Sequence, residues 1–199
     1  MYQDGKDLTA LIGSRICHDL ISPLGAISNG LELLAMSGLQ GSPELDLINQ
    51  SIANANSKIR FFRVAYGLAA HGATLARGEI ASILDDYFSG SRLSVVWEPM
   101  QELQRREVKL AFLAIQCLET ALPYGGEIAI SAQQSQWILT ARGDKFASDL
   151  TQWETLMGGD HAADLPAAHV HFALLAMLSQ WRNPALKVVI TPHEITVTF

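Results

Sequence analysis

A histidine followed by an aspartate, with a proline five residues further on, stands in the stretch SRICHDLISPLGAISNGLELL, Ser14 to Leu34. Together they can do nucleophilic chemistry. An exposed imidazole has a pKa near ~6.5, so His18 is mostly neutral at cytoplasmic pH and keeps a free ring-nitrogen lone pair. Asp19 can hold the other ring N–H and favour one tautomer. Pro23 has no N–H, so the carbonyl of Asp19 loses its helical partner. The helix is expected to kink or loosen between His18 and Pro23, at a cost of about 3 kcal/mol. The bland alternative is a surface histidine with an incidental acid beside it, and a lone His-Asp pair would favour that alternative.

The elements that must position these residues are legible as apolar periodicity. Ala10, Gly13, Cys17, Leu20, Leu24, Ile27, Leu31 and Leu34 recur in steps of three and four, as in a coiled-coil seam. Asp7 is the expected cap of this helix and Ser37-Gly38 its expected stop. Ser42-Pro43-Glu44 reads as the start of a second helix, whose seam is Leu45, Ile48, Ile52, Ala55, Ile59, Phe62, Tyr66 and Ala69. The short turn between them makes an antiparallel hairpin. Two helices cannot enclose a core, so the hairpin must pack on a second copy, as a four-helix bundle in a two-fold dimer, or on the rest of its own chain.

Taken off the seam, Arg15, His18, Asp19 and Ser22 are expected to face outward. With the turn centred near Leu39–Gln40, His18 lies level with Phe61 and Phe62 on the second helix. Lys58, Arg60, Arg63 and Arg15 then fall within about two turns of it. Such basic groups can attract an acidic partner or a phosphoryl group, although a solvated basic face is the plainer reading of them alone.

The Gly-bearing segment from His71 to Gly78 divides residues 1–72 from residues 73–199. The second part alternates. Helices are expected over Glu79–Phe88, Arg105–Leu122 and Pro166–Trp181. Strands are expected over Leu93–Trp97, Glu127–Ala132, Trp137–Ala141, Leu186–Ile190 and Glu194–Phe199. This grouping predicts an α+β sandwich, one sheet covered by helices on one face.

The whole chain of 199 residues carries a net charge of −6, which argues against a nucleic-acid surface. No apolar run approaches the ~18 residues that span a bilayer, and MYQDGKDLTALIG lacks a basic region followed by an apolar stretch, so it is not expected to act as a secretory signal. Two cysteines, Cys17 and Cys117, form no disulfide framework, so a reduced cytoplasmic location is expected. His169 and His171, two apart on a helix, point to different faces and do not share a metal ion.

His18-Asp19-Leu20-Ile21-Ser22-Pro23-Leu24 resembles the phosphoacceptor box of two-component histidine kinases. The continuation Gly25-Ala26-Ile27-Ser28-Asn29-Gly30-Leu31-Glu32-Leu33-Leu34 is similar to the ChpT-type histidine phosphotransferases of alphaproteobacterial phosphorelays. The resemblance implies a dimerisation hairpin that carries the acceptor, over residues 1–72, and a degenerate kinase-ATPase-like α/β sandwich, over residues 73–199. It implies His18 as phosphoacceptor, Asp19 as orienter or base, and Ser22 and Pro23 beside them. It also implies docking of a receiver domain beside His18, partly on the second domain, and the residues expected to meet it are Arg15, Ile21, Gly25, Lys58, Arg60 and Arg63. The phosphoryl group then comes from the receiver of a hybrid histidine kinase and passes to the Asp of a response regulator, with Mg²⁺ supplied by the receiver.

A nucleotide-binding kinase of this kind carries an Asn-bearing helix, an Asp-x-Gly-x-Gly turn and a Gly-rich lid. Gln116 and Thr120 stand where two Asn are expected. Ala141 stands for the adenine-reading Asp and Lys145 for the second Gly. Ala162-Ala163-Asp164-Leu165 has no Gly-x-Gly, and Gly158-Gly159 is a lone pair. Without such a loop there is no backbone cradle for phosphates, so no cofactor is expected on this chain. An ATP-dependent sensor histidine kinase core is the first alternative. A non-catalytic dimeric adaptor or kinase inhibitor that uses the same bundle is the second.

Overall fold

The periodicity of the first third of the chain becomes two long helices. The computed structural model describes residues 5–37, 43–133, 136–149, 151–157, 166–182 and 185–199. Helix α1 spans Gly5–Ser37 and α2 spans Pro43–Ala65. Because α1 already includes Gly5, Asp7 lies within the helix and is not its cap. Pro43 opens α2, and Glu44 and Asp46 lie in its first turn, where they complement the helix dipole. Ser42 and the turn at 38–41 lie outside the described residues.

The two helices lie against each other in nearly the expected register. A Cβ added to Gly30 would sit 2.5 Å from Ile48 Cγ1, so the Ile48 side chain packs directly on the α1 backbone because Gly30 has no side chain. The buried face differs from the expected one. Pro23 and Gly30 are buried, whereas Leu24 is 57% exposed and Leu31 55%. On α2, Ile48, Ala55 and Phe62 are buried, but Ile52 and Ile59 are exposed. Four large apolar residues of the seam, Leu24, Leu31, Ile52 and Ile59, thus face away from the chain's own hairpin contact, where Ile48 packs on Gly30.

The remainder is an α+β layer. After α2, β1 (Thr74–Leu75) pairs antiparallel with β3 (Leu103–Gln104). Between them lie α3 (Arg77–Phe88) and β2 (Leu93–Trp97). Helix α4 (Arg105–Ala121) is followed by β4 (Gly126–Gln133) and β5 (Gln136–Arg142). A 3-10 segment at Thr151–Thr155 and a second at Ala167–His169 precede α5 (Val170–Leu178), and β6 (Lys187–Ile190) and β7 (Glu194–Thr198) close the chain. The helix expected over Pro166–Trp181 is therefore shorter, beginning as a 3-10 turn and ending at Leu178.

The sheet order is β2-β4-β5-β7-β6, with β2 parallel to β4 and the other pairs antiparallel. A parallel pair needs a crossover connection, and α4 supplies it. Turning from α4 into β4 requires Gly125, at φ 100°, where an added Cβ would also meet the Arg92 carbonyl at 2.6 Å.

Strand alternation sends Ile128, Ile130, Trp137, Leu139, Ala141, Ile195 and Val197 inward. They meet α4, which is buried along most of its length from Val108 to Leu118, as expected of a helix enclosed on all sides. The foot of the hairpin enters this same core. Phe61 of α2 is fully buried, stacked on Tyr87 of α3 at 4.1 Å and close to Phe112 of α4 at 4.7 Å.

Phe61→Ala is expected to lose about 3–5 kcal/mol of stability, because it opens a cavity where three helices meet. Urea unfolding followed by tryptophan fluorescence and by helical circular dichroism measures it. A loss below about 1 kcal/mol contradicts the shared core.

Candidate functional site

The Pro23 anomaly is resolved between helices. Helix α1 runs through Pro23 without interruption. The carbonyl of Asp19, which Pro23 cannot serve, accepts a hydrogen bond from Lys58 Nζ of α2 at 3.2 Å. One turn earlier, Arg15 Nε donates to Asp19 Oδ2 at 2.7 Å in an i, i+4 ion pair. The same guanidinium donates through Nη1 to the carbonyl of Ala168, in the turn before α5. Arg15 therefore ties α1 to the second half of the chain.

These contacts change the expected roles of several residues. Arg15 and Asp19 were expected to face solvent, yet their side chains are only 16% and 13% exposed. Arg15 is engaged within the chain. Lys58 is half-buried and directed at the backbone of α1. Arg60 is exposed and paired with Asp86, with Ser82 Oγ at 3.2 Å. Arg63 is exposed. Ser22 and Gly25 are exposed, and a Cβ added to Gly25 meets nothing within 4 Å. His18 and Ile21 lie in α1, and their side chains, like that of Cys17, fall outside the described ones. Helical periodicity places position 18 on the stripe of Ser22, Gly25 and Asn29, all exposed.

Beneath this segment lies a polar group of residues that sequence reasoning missed. Tyr66 donates to Gln116 Oε1 at 2.8 Å, and Tyr87 donates to Glu119 Oε2 at 3.3 Å. Burial pushes the Glu119 carboxyl up to about 7, against the pull of the Arg15 and Lys58 charges and of the Tyr87 hydrogen bond, and with a push from Asp19. Burial likewise raises the Tyr66 and Tyr87 phenols, so both stay protonated. The available signal was Glu119 itself, the only acid between Val108 and Leu122.

Of the positions compared above with nucleotide-binding residues, Gln116 and Ala141 are buried, Thr120 is half-buried and Lys145 is exposed. Gln116 is 1% exposed and accepts from Tyr66, Thr120 Oγ1 donates to the Cys117 carbonyl at 2.6 Å, and Ala141 is fully buried. Lys145 Nζ lies 4.9 Å from the centre of the Tyr124 ring. Segments 158–165, which include both Gly158-Gly159 and Ala162–Leu165, lie outside the described residues. His171 is fully buried, and desolvation holds it neutral. Among the described residues, no cluster of three or more His, Cys, Asp or Glu could hold a metal, and no helix is long and apolar enough to cross a membrane.

Comparison with known proteins agrees with this geometry. The histidine phosphotransferase C-terminal domain family matches residues 77–194, more than half of the chain. Protein phosphotransferase ChpT of Brucella abortus (strain 2308) is 36% identical over 143 residues, covering 69% of this chain and 68% of that protein. A solved structure of a bacterial phosphotransferase superposes with a TM-score of 0.82 at 28% identity, over 100% of this chain and 98% of that one. The chain belongs to the ChpT-type histidine phosphotransferases. It is a phosphotransferase on an α+β fold with a mixed sheet.

The Lys58–Asp19 contact is testable as a coupling. Lys58→Met is expected to cost about 1 kcal/mol in the natural background, because a partly buried carbonyl loses its donor. In Pro23→Ala the alanine N–H reaches that carbonyl, so the same change should cost less. A double-mutant cycle in chemical unfolding measures the difference, and strict additivity would remove the contact from the account.

Proposed function

We propose that this chain works in a phosphorelay, with His18 as the phosphoacceptor. The observation that supports this most is position 18 on the exposed stripe of α1, beside an Asp19 held by Arg15 and Lys58. Neutral His18 attacks the phosphorus of an aspartyl phosphate in the receiver domain of a hybrid histidine kinase. The N–P bond forms as the P–O bond to the receiver's carboxylate breaks, and that carboxylate leaves with the bond's electron pair. The proton on the other ring nitrogen stays there, and the Asp19 side of the helix offers it an anionic environment. The reverse exchange then moves the group to the Asp of a response regulator.

In this reading the receiver supplies the Mg²⁺ that neutralises the phosphoryl oxygens in flight, and no nucleotide takes part. The buried Gln116, the half-buried Thr120 and the apolar Ala141 favour a layer that does not hold ATP. We assign transfer and dimerisation to residues 1–72 and a scaffolding role to residues 73–199, as a degenerate ATPase-like domain. Ser22, Gly25, Ile21 and Arg63 belong to the receiver-facing surface, with Arg60 at its flank. The reading places the chain in the cytoplasm, without membrane or nucleic-acid partners.

A homodimeric four-helix bundle completes the reading. Leu24 and Leu31 on α1, and Ile52 and Ile59 on α2, are each seven residues apart and exposed at 57%, 55%, 42% and 46%. An apolar groove of about 320 Å³, lined by Ile12, Ile16, Ile59, Phe62 and Tyr66 among others, continues this face at the open end of the hairpin. Covering a large apolar side chain contributes about 1.5–3 kcal/mol, so a second hairpin laid on this stripe is strongly favoured.

The transfer test uses a purified receiver domain charged with acetyl phosphate and Mg²⁺. Acid-labile label is expected on the natural chain and not on His18→Ala. Label of equal intensity on both refutes His18 as acceptor. Leu31→Glu, more than three turns from His18, is expected to shift the protein from dimer to monomer in sedimentation at micromolar concentration. A natural chain that sediments as a monomer there refutes the bundle.

A further inference from the structure

We propose that His169 is a second histidine of the transfer site, contributed by the other half of the chain, which donates a ring N–H to the receiver domain docked at His18. The proposal rests on the reading of His18 as acceptor and deepens it by naming a residue that binds the receiver. Its basis is a turn of the second half that is bonded to α1 beside the acceptor. Arg15 Nη1 donates to the Ala168 carbonyl, in the 3-10 segment Ala167–His169. Arg15 precedes position 18 by three residues, and residues three apart are neighbours on a helix surface. His169 follows Ala168 directly.

The polar atoms of His169 have no task within the chain. It stands at the N-cap of α5, yet its side chain makes no capping hydrogen bond. Its ring is edge-on to Phe172 and to His171, with centroids 6.0 Å and 6.3 Å away, so packing sets its direction. The residue is half-buried, and neither ring nitrogen is bonded within the chain. His171 differs, because it is fully buried and both of its nitrogens are enclosed. The nitrogens of His169 are not enclosed and stay open to a partner. Burial and the Arg15 charge draw its pKa below the usual imidazole range, against a pull from Asp149, so the neutral ring offers one N–H donor. A side chain held by packing, with its polar atoms unused, is preorganised for an incoming group.

Position decides what that group is. An α-helix rises about 1.5 Å per residue, so Arg15 lies roughly 4.5 Å along the axis from position 18. The turn fastened to Arg15 therefore stands to one side of the reacting atoms, where the body of the receiver rests, and not in line with the phosphorus. A hydrogen bond to an oxygen on the receiver surface there is made equally before and during transfer. It strengthens docking and leaves the maximal rate alone.

The test is rapid-mixing uptake from a receiver domain charged with acetyl phosphate and Mg²⁺, at rising receiver concentration. His169→Ala is expected to raise the half-saturating concentration about tenfold, with the maximal rate within about twofold of the natural chain. A variant that is merely partly unfolded would lose amplitude and keep its half-saturation. His169→Asn places an N–H near Nδ1 and His169→Gln places one near Nε2, so one of the two should restore the natural half-saturation. An unchanged half-saturation in folded His169→Ala overturns the proposal, and so does a rise that neither amide reverses. Should His169→Ala not fold, the ring proton resonances of His169 in the natural chain decide. They are expected to shift when uncharged receiver is added to saturation, and resonances that stay in place overturn the proposal. His18→Ala separates the two levels. Label on His18→Ala refutes the acceptor reading and this proposal with it, whereas an unlabelled His18→Ala combined with an unchanged half-saturation in His169→Ala refutes His169 alone.

Discussion

Pro23 withholds an N–H from the carbonyl of Asp19, and the rest of the structure is arranged around that omission. A helix normally holds its own backbone, so a segment within it needs nothing from its neighbours. Here the carbonyl just after position 18 is served by Lys58 of the opposite helix. The geometry of α1 at position 18 therefore depends on the register of the hairpin. The Ile48 side chain packed on Gly30 sets that register on one side of the site. On the other side, Arg15 fastens the helix to the carbonyl of Ala168, so the α+β layer takes part too.

That dependence explains a second layer whose nucleotide-like positions Gln116 and Ala141 are buried. Phe61 carries the foot of the hairpin into the core, where it stacks on Tyr87 and meets Phe112. Tyr66 reaches Gln116 from the same helix end, and Lys109 Nζ donates to the Gly67 carbonyl at 2.9 Å. Helix α4 is thus the common wall of hairpin and sheet. Its buried polar residues are committed to holding the hairpin, and substituting one leaves a partner unsatisfied in a low-dielectric setting.

Much of this was legible in the sequence, for reasons that also mark the limits. The strands Leu93–Trp97 and Trp137–Ala141 stand out because alternation and β-branched or aromatic content agree there. The hairpin register follows from turn position and helix rise alone, and lies within one or two residues of the observed contacts. The buried face of the hairpin does not follow. A three-four seam marks its large apolar members, and Leu24 and Leu31 turn outward while Pro23 and Gly30 make the contact. Periodicity identifies a stripe but not which neighbour covers it, and small residues that permit close approach carry no hydrophobic signal. The pairing of β1 with β3, two residues each, is too short for any pattern. Arg15 read as a surface cation because its carbonyl partner lies more than 150 residues away in sequence.

Charge balance around the site follows from the same contacts. Two cations, Arg15 of α1 and Lys58 of α2, serve Asp19 through its carboxylate and its carbonyl. The balance is asymmetric. Asp19 is an i, i+4 partner of Arg15 on the same helix, so it remains with α1 however the layers shift. Glu119 belongs to α4 and accepts from Tyr87 of α3 within the layer. Desolvation makes its charge unfavourable, and the cations offset that only in part. The fit between the layer and α1 depends on the Arg15–Ala168 contact, which crosses from one to the other.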